Sequence, residues 1–239
     1  MTIDQRWKDT VKQGINDAKW DKYDSIIKSE VDAYAHKFEA LVSKIDWLLL
    51  KALLWTESGG PNNSAWNTRP MQIGNKGDPG YSILKNEGEG SDLIMSDELK
   101  QSIANGFINT PDVNIKAGMA YLYTRMAITN IMSIRNLKDS KEYGYEIVSG
   151  DNLEKVSIKV STTIFELRRL NPAASGIIRP GQKIKYVKAT MQRSIIDWRK
   201  FNADNIADRY NGGGDKDYSS KLTYILNEIF PKLVRAKQP

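Results

Sequence analysis

The sequence predicts a mainly α-helical protein that is interrupted by a small βααβ unit. Apolar residues recur at helical spacing in the first and last parts of the chain, which indicates one helical domain in two stretches. Between them, β-type runs at 145–148 and 183–187 flank two short helical patterns at 153–160 and 163–170. We therefore expect three segments: 1–142, 143–188 and 189–239.

The first stretch, 1–57, is expected to be helical. Apolar residues from Ile3 to Ile15 follow a four-residue spacing, and a second run from Tyr34 to Leu48 continues that rhythm. The pattern stops at Ser58-Gly59-Gly60-Pro61, a strong helix breaker. The same reasoning predicts later helices at 91–105, 115–132, 191–209 and 218–233.

The amino-acid composition excludes several kinds of functional site. The 239 residues are 40% hydrophobic and contain no Cys, which excludes disulfides and thiolate metal sites. With His36 as the single histidine, we expect no metal, no cofactor and no Ser-His-Asp triad. The net charge of +6 favours an anionic partner, whether nucleic acid, membrane surface or acidic polysaccharide. Because no run of consecutive Lys and Arg is long enough to look like a nucleic-acid arm, we expect no nucleic-acid partner.

The chain is expected to lack a membrane span and an export signal. Its longest apolar run begins at Trp47 and is interrupted by Lys51, so it is too short and too charged to cross a bilayer. The first eight residues lack the apolar region of a signal peptide. We expect a monomer that is made in the cytoplasm, is not exported by the general route and has no stable membrane insertion.

The segment 145–187 resembles a LysM domain. It opens with Tyr145-Glu-Ile-Val-Ser-Gly-Asp-Asn-Leu153 and continues through Asn171-Pro172 to Arg179-Pro-Gly-Gln182. Asp151 is expected to cap the first helix. The segment 143–188 holds eight Lys and Arg against four Asp and Glu, a net charge of +4 that suits an anionic wall polymer.

The LysM resemblance implies binding of glycans that contain N-acetylglucosamine. Two loops would make the contacts, one after the first strand and one after the second helix. The residues that carry over are Gly150, Asp151, Asn152, Leu153, Ala173, Ser175 and Ile177. The alternative is that the module is only a structural spacer.

The flanking helical parts resemble the lysozyme-like catalytic domain of soluble lytic transglycosylases and goose-type lysozymes. Four motifs occur in that family's order: Glu57-Ser58, Met71-Gln72-Ile73, Asn114-Ile115 with Gly118 and Tyr121-Leu122, and Tyr210-Asn211 followed by glycines. The chain departs from the family pattern at Arg69-Pro70 and at Arg209, where Gly-Leu and Ala are usual.

The resemblance makes Glu57 the catalytic acid. A free Glu has a pKa of about 4.3, and burial among apolar groups would raise it into the range where a proton can be donated at neutral pH. Tyr210 would orient Glu57, and ordinary core packing is the alternative role for Met71 and Ile73. The expected substrate-binding residues are Ser64, Met71, Gln72, Ile73, Asn114, Tyr210 and Asn211.

The implied activity is cleavage of the β-1,4 bond between MurNAc and GlcNAc in peptidoglycan glycan strands. A transglycosylase would use Glu57 alone and form 1,6-anhydromuramyl products. The alternatives are a muramidase, with Asp78 or Asp92 as a second carboxylate, and a non-catalytic peptidoglycan-binding protein.

Such an enzyme would act in the periplasm or cell wall, of its own or of a target cell. It would reach the wall as a phage endolysin or as an antibacterial toxin carried by type VI secretion machinery, the latter with a cognate immunity protein as its inhibitor. A periplasmic enzyme whose signal has been removed is the third setting.

Overall fold

A computed structural model of the protein describes residues 3–41, 44–174 and 177–236 and shows a mainly helical chain. The helices are α1 (Gln5–Lys12), α2 (Asp24–Lys37), α3 (Trp47–Ser58), α4 (Pro79–Lys85), α5 (Ser91–Ile94), α6 (Asp97–Ala104), α7 (Pro111–Met126), α8 (Leu153–Lys159), α9 (Ile164–Leu170), α10 (Ala203–Arg209), α11 (Tyr218–Tyr224) and α12 (Phe230–Ala236). The strands are β1 (Ala127–Arg135), β2 (Tyr143–Glu146), β3 (Lys183–Tyr186) and β4 (Ala189–Trp198).

The chain forms two compact units. One runs up to Ile128 and resumes at Ile195, and the other comprises Thr129–Ser194. The second unit extends beyond the expected segment 143–188 because it includes most of β1 and β4, which pair with each other. A mainly α fold with a small βααβ module is the class that the sequence predicts.

The predictions of helices at 115–132 and 191–209 are partly wrong. The segments 127–132 and 191–198 were expected to continue helices, and instead they belong to β1 and β4. Arg199 N donates to Met126 O at 2.9 Å, and Asn136 N donates to Lys188 O at 2.8 Å. These bonds at both ends indicate an antiparallel ribbon. The first segment is rich in β-branched residues, which favour strands. Each segment finds its partner some sixty residues away in sequence, and helical periodicity cannot reveal a partner at that distance.

Helix α3 lies in the core of the helical unit and carries Glu57 in its last turn. Asp46 begins it, accepting from Leu48 N at 2.9 Å, and Gly59 ends it with a φ of 67°. Its residues from Leu49 to Trp55 are all buried, as expected of a helix that is apolar on every side.

The buried face of α3 includes one charge. Lys51 is buried, and its Nζ lies 2.6 Å from Asp21 and 2.8 Å from Asp24. The ion pairs tie α3 to the start of α2 and to the turn that precedes it. A buried ammonium needs such partners because an unpaired charge inside a protein costs several kcal/mol.

The second unit contains the expected βααβ module. Strands β2 and β3 pair in antiparallel register, with Tyr145 opposite Ile184. Helices α8 and α9 pack onto them. A separate small core results, made of Ile147, Val156, Val160, Leu167, Ala174 and Ile184.

One detail of the module corrects the sequence analysis. The cap of α8 is Asn152, whose side chain accepts from Lys155 N at 2.8 Å, and not Asp151. Asn171 ends α9.

Among the helices that the structure describes, none combines the length and the apolar character needed to cross a membrane.

Candidate functional site

A cleft of about 380 Å³ opens in the helical unit beside the end of α3. Its walls come from the loop that follows residue 70, the start of α4, the last turns of α7 and the end of α10. The lining residues are Glu57, Met71, Gln72, Ile73, Asp78, Pro79, Gly80, Tyr121, Arg125, Arg209, Tyr210, Asn211 and Gly212.

Glu57 is partly buried, with its carboxyl group at this cleft. The pKa of Glu57 is raised to about 7, mainly by burial and to a smaller extent by the nearby negative charges of Asp78 and Asp215. The Tyr218 hydroxyl donates a hydrogen bond to Oε1 of Glu57 and partly opposes this shift. A carboxyl group with a pKa near 7 is populated in both protonation states at neutral pH, as a group that donates and then accepts a proton requires.

Tyr218 is a site residue that the sequence analysis missed. The expected partner of Glu57 was Tyr210, but the Tyr210 hydroxyl donates instead to Met71 O at 2.9 Å. Tyr218 begins α11, one short loop further along the chain. No motif marks it. The available signal was a second tyrosine eight residues after Tyr210, on the other side of the glycine-rich loop.

The expected role of Asn114 as a sugar ligand is also wrong. Its side chain is fully buried in α7 and is absent from the cleft lining. Its Oδ1 accepts from Met71 N at 2.9 Å, and its Nδ2 donates to Ile73 O at 2.8 Å. A further bond joins Nδ2 to Ile108 O at 3.0 Å. Asn114 therefore holds the loop that lines the cleft.

The Met71-Gln72-Ile73 segment forms one wall of the cleft. Met71 and Ile73 are buried, whereas Gln72 is partly exposed and has a φ of 54°. Met71 packs against α7 at Gly118, where an added Cβ would lie 2.4 Å from the Cβ of Met71. This contact explains why the helix carries glycine at that position.

The two candidate second carboxylates occupy different places. Asp78 lines the cleft, and its two oxygens accept from Gly74 N and Gly80 N, each at 2.8 Å. It therefore caps α4 and closes the loop that precedes it. Asp92 is exposed on α5 and does not line the cleft, so the structure does not support it as a second carboxylate. Within the described residues, no cluster of three or more acidic or His side chains could hold a metal ion.

Of the remaining predicted ligands, Asn211 is at the cleft and Ser64 is not. The Asn211 amide organises the turn that follows α10: with its oxygen facing the donors, it accepts from Gly214 N at 3.1 Å and Asp215 N at 2.8 Å. Ser64 is exposed on a 3-10 turn outside the cleft lining, so the structure does not bring it together with Glu57.

Two arginines face the cleft beside Glu57. Arg125, in the last turn of α7, donates from Nε to Arg209 O at 3.1 Å and pairs with Glu89. Arg209 ends α10, and its Nε lies 3.0 Å from the exposed carboxylate of Asp208. The cleft therefore contains Glu57, whose pKa is near 7, Asp78, whose carboxylate accepts two backbone N–H groups, and the two arginines.

The first predicted glycan loop of the module is tightly organised. Gly150 turns it with a φ of 86°. The Asp151 carboxylate accepts from Tyr145 Oη at 2.9 Å, Val148 N at 3.0 Å and Lys159 Nζ at 2.5 Å. The Lys159 hydrogen bond is the largest cause that lowers the pKa of Asp151, to about 2. Because these bonds occupy its carboxylate, Asp151 shapes the loop, and its contact with glycan stays a prediction.

The other predicted module residues differ in exposure. Leu153 is partly buried and packs on the module core, whereas Asn152 is exposed and caps α8. In the second loop Ala173 is exposed, and Ile177 presents 82% of its surface to solvent. Ser175 lies outside the described residues.

Comparison with known proteins identifies one part of the chain. No curated protein and no solved structure matches the chain. Residues 145–186 match the LysM domain family, and this range contains β3, both helices of the module and the second half of β2. Residues 145–186 are therefore a LysM domain, a module that binds peptidoglycan.

Proposed function

We propose that the protein cleaves the β-1,4 bond between MurNAc and GlcNAc in peptidoglycan as a lytic transglycosylase, with Glu57 as its acid and base. The observation that carries the proposal is the position of Glu57: it faces a cleft, and burial raises its pKa to about 7. General acid catalysis needs a group that is protonated at the working pH yet gives up its proton readily.

The proposed reaction needs one carboxyl group. Protonated Glu57 gives its proton to the glycosidic oxygen as the bond to C1 of the muramyl sugar breaks. The resulting carboxylate then takes the proton of the 6-hydroxyl of the same sugar, and O6 bonds to C1. The products are a 1,6-anhydromuramyl end and a chain with a free GlcNAc hydroxyl, and Glu57 is again protonated.

The second candidate is a muramidase, in which water replaces the 6-hydroxyl. The observation that favours it is Asp78, a carboxylate in the same cleft. Each of its oxygens accepts a backbone N–H, at Gly74 and Gly80. Because these bonds hold Asp78 in a capping role, we rank the transglycosylase first.

The LysM domain supports the choice of substrate and the cell wall as the place of action. It binds the same polymer that the cleft is proposed to cut. A binding module on the enzyme's own chain raises the local concentration of glycan around the cleft.

The test is digestion of purified peptidoglycan by the wild type and by Glu57→Gln, with products identified by mass spectrometry. We expect anhydromuramyl ends from the wild type and a loss of at least about 100-fold in rate for the variant, the scale of general acid catalysis. Reducing muramyl ends would establish the muramidase. An inert wild type that still binds the wall would leave a non-catalytic LysM protein.

A further inference from the structure

The cleft carries more positive charge than the proposed proton transfers need. Arg125 and Arg209 both line it, on the wall that also presents Tyr210 and Asn211. Neither arginine contacts Glu57 in any described hydrogen bond or ion pair. Because they line the cleft without contacting Glu57, we consider a role for them in binding the substrate.

The two arginines differ in how much of their guanidinium group is engaged. Arg125 is fixed, with Nε on Arg209 O and Nη1 on Glu89. The Nε of Arg209 lies 3.0 Å from Asp208, the two side chains are 42% and 70% exposed, and neither Nη atom of Arg209 donates in a described hydrogen bond. An ion pair this exposed contributes little and competes weakly with an incoming anion. The two Nη atoms of Arg209 therefore remain available to a ligand in the cleft.

We propose that Arg209, with Arg125 bracing its backbone, binds the carboxylate carried by the muramyl branch of the glycan. This inference rests on the proposed function, since it names a specificity contact for the same cleft. Each muramyl sugar bears a 3-O-lactyl group, which ends in a carboxylate or continues into a stem peptide with carboxylates of its own. The planar guanidinium fork of arginine matches a carboxylate through two parallel hydrogen bonds.

The charges that face Arg209 are compatible with this role. Glu89 is paired to Arg125, and Asp78 is capped by two backbone N–H groups. The raised pKa of Glu57 leaves that group substantially uncharged below pH 7. A ligand that contains only N-acetylglucosamine has no carboxylate and gains nothing from Arg209, so the arginine would distinguish peptidoglycan from chitin.

The test measures binding rather than cleavage and uses the full chain with Glu57→Gln, labelled with ¹⁵N. The ligands are a GlcNAc–MurNAc tetrasaccharide with stem peptides, the same tetrasaccharide with free lactyl groups, and chitotetraose. Gly80 and Gly212 line the cleft, whereas Gly150 lies in the LysM domain. Their amide shifts report binding at the two places separately, so binding at the LysM domain cannot be mistaken for binding at the cleft.

Adding Arg209→Gln is expected to weaken cleft binding of the carboxylated ligands about tenfold, which corresponds to loss of one charge-assisted contact. Chitotetraose binding should be unchanged. The ligand that loses more affinity shows whether the lactyl or the peptide carboxylate is bound. Arg209→Lys should restore part of the affinity, because it keeps the charge without the fork.

Lys200→Gln is the matched control, since it removes one exposed positive charge from the same unit outside the cleft. Equal losses with Lys200→Gln, an equal loss for chitotetraose, unchanged binding in Arg209→Gln, or no cleft shifts with any ligand would each overturn the proposal. These results do not depend on whether the wild type cleaves peptidoglycan, so this proposal and the proposed activity can fail separately.

Discussion

At the scale of single residues, the protonation of Glu57 is set by opposing effects. Removal from water disfavours its carboxylate, and the Tyr218 hydroxyl, by donating to Oε1, favours it. Burial is the larger effect, and the pKa lies near 7 as a result. The hydrogen bond also fixes which way the carboxyl group faces. Tyr218 is thus a positioning residue whose removal should change the pH dependence of the reaction.

We predict that Tyr218→Phe moves the alkaline limb of the pH profile of kcat/KM upwards from its wild-type position near pH 7. Without the donated hydrogen bond, the carboxylate is less stable, so the pKa of Glu57 rises. Tyr224→Phe is the control, because it removes a hydroxyl from the other end of α11, away from the cleft. A limb that stays in place, or that moves to lower pH, would show that Tyr218 does not set this pKa.

The same raised pKa predicts a pH-dependent stability. Since Glu57 binds its proton more tightly in the folded state, it stabilises the fold fully below its unfolded pKa of about 4.3. That contribution is lost as the pH rises through about 7. Glu57→Gln lacks the ionisation, so the variant should gain about 2 kcal/mol over the wild type between pH 4 and pH 8, after allowance for partial exposure.

Urea unfolding followed by tryptophan fluorescence measures this difference in the helical unit alone, because all six tryptophans belong to that unit. Glu228→Gln controls for the loss of an exposed carboxylate on the π-helical turn Ile225–Ile229. Parallel stability curves for Glu57→Gln and the wild type would contradict a raised pKa.

At the scale of elements, one buried amide joins helix α7 to the cleft wall. The three bonds of Asn114 satisfy backbone groups of Met71, Ile73 and Ile108. We predict that Asn114→Leu, which is similar in size, destabilises the helical unit by about 2 to 4 kcal/mol, because it leaves those groups buried without partners. Activity should fall as well, since Gln72 lies on the released segment.

The measurement pairs urea unfolding with digestion of peptidoglycan. Asn109→Leu makes the same change at an exposed position shortly before α7 and should leave both readouts close to wild type. Stability retained in Asn114→Leu would mean that the loop holds its conformation without this amide.

How much the sequence could predict depends on how local each feature is. The βααβ module was predictable because its strands, helices and turns are encoded within about forty residues, and its spacing is that of the LysM domain. The ribbon of β1 and β4 was not predictable, since either strand alone shows apolar residues that also suit a helix. The order of the four motifs predicted that Met71, Tyr210 and Glu57 belong to one site, and all three line one cleft.

Side-chain direction was beyond reach of the sequence. Polar residues in a motif were assigned to the substrate, yet Asn114 and Asp151 form hydrogen bonds inside the protein. Position on a helix decides this outcome: Asn114 is on the buried face of α7, where any amide must find protein partners. Tyr218 was missed for the converse reason, because only the folded chain brings the start of α11 to the end of α3.

At the scale of the whole molecule, binding and proposed catalysis belong to separate compact units on one chain. The module has its own core, distinct from that of the helical unit. Much of the charge is there too, since 143–188 contributes +4 to a net charge of +6. The module is inserted through the paired strands β1 and β4, and the hydrogen bond from Asn136 N to Lys188 O marks the place where it can be cut out.

We predict that replacing 136–188 by an Asn-Gly turn lowers the cleavage rate on insoluble peptidoglycan at dilute enzyme by about tenfold or more, because the local concentration of substrate is lost. Soluble glycan fragments should be cleaved at the wild-type rate, since the cleft lies wholly in the helical unit. A point variant tests the same idea in the intact chain: Ile177→Ser alters the second glycan loop, and Ile158→Ser makes the same change at a similarly exposed position on α8. Only Ile177→Ser should weaken wall binding.

For the excision variant, the contradicting result is cleavage of walls and of fragments each at the wild-type rate. The LysM domain would then serve another purpose than delivering substrate to this cleft.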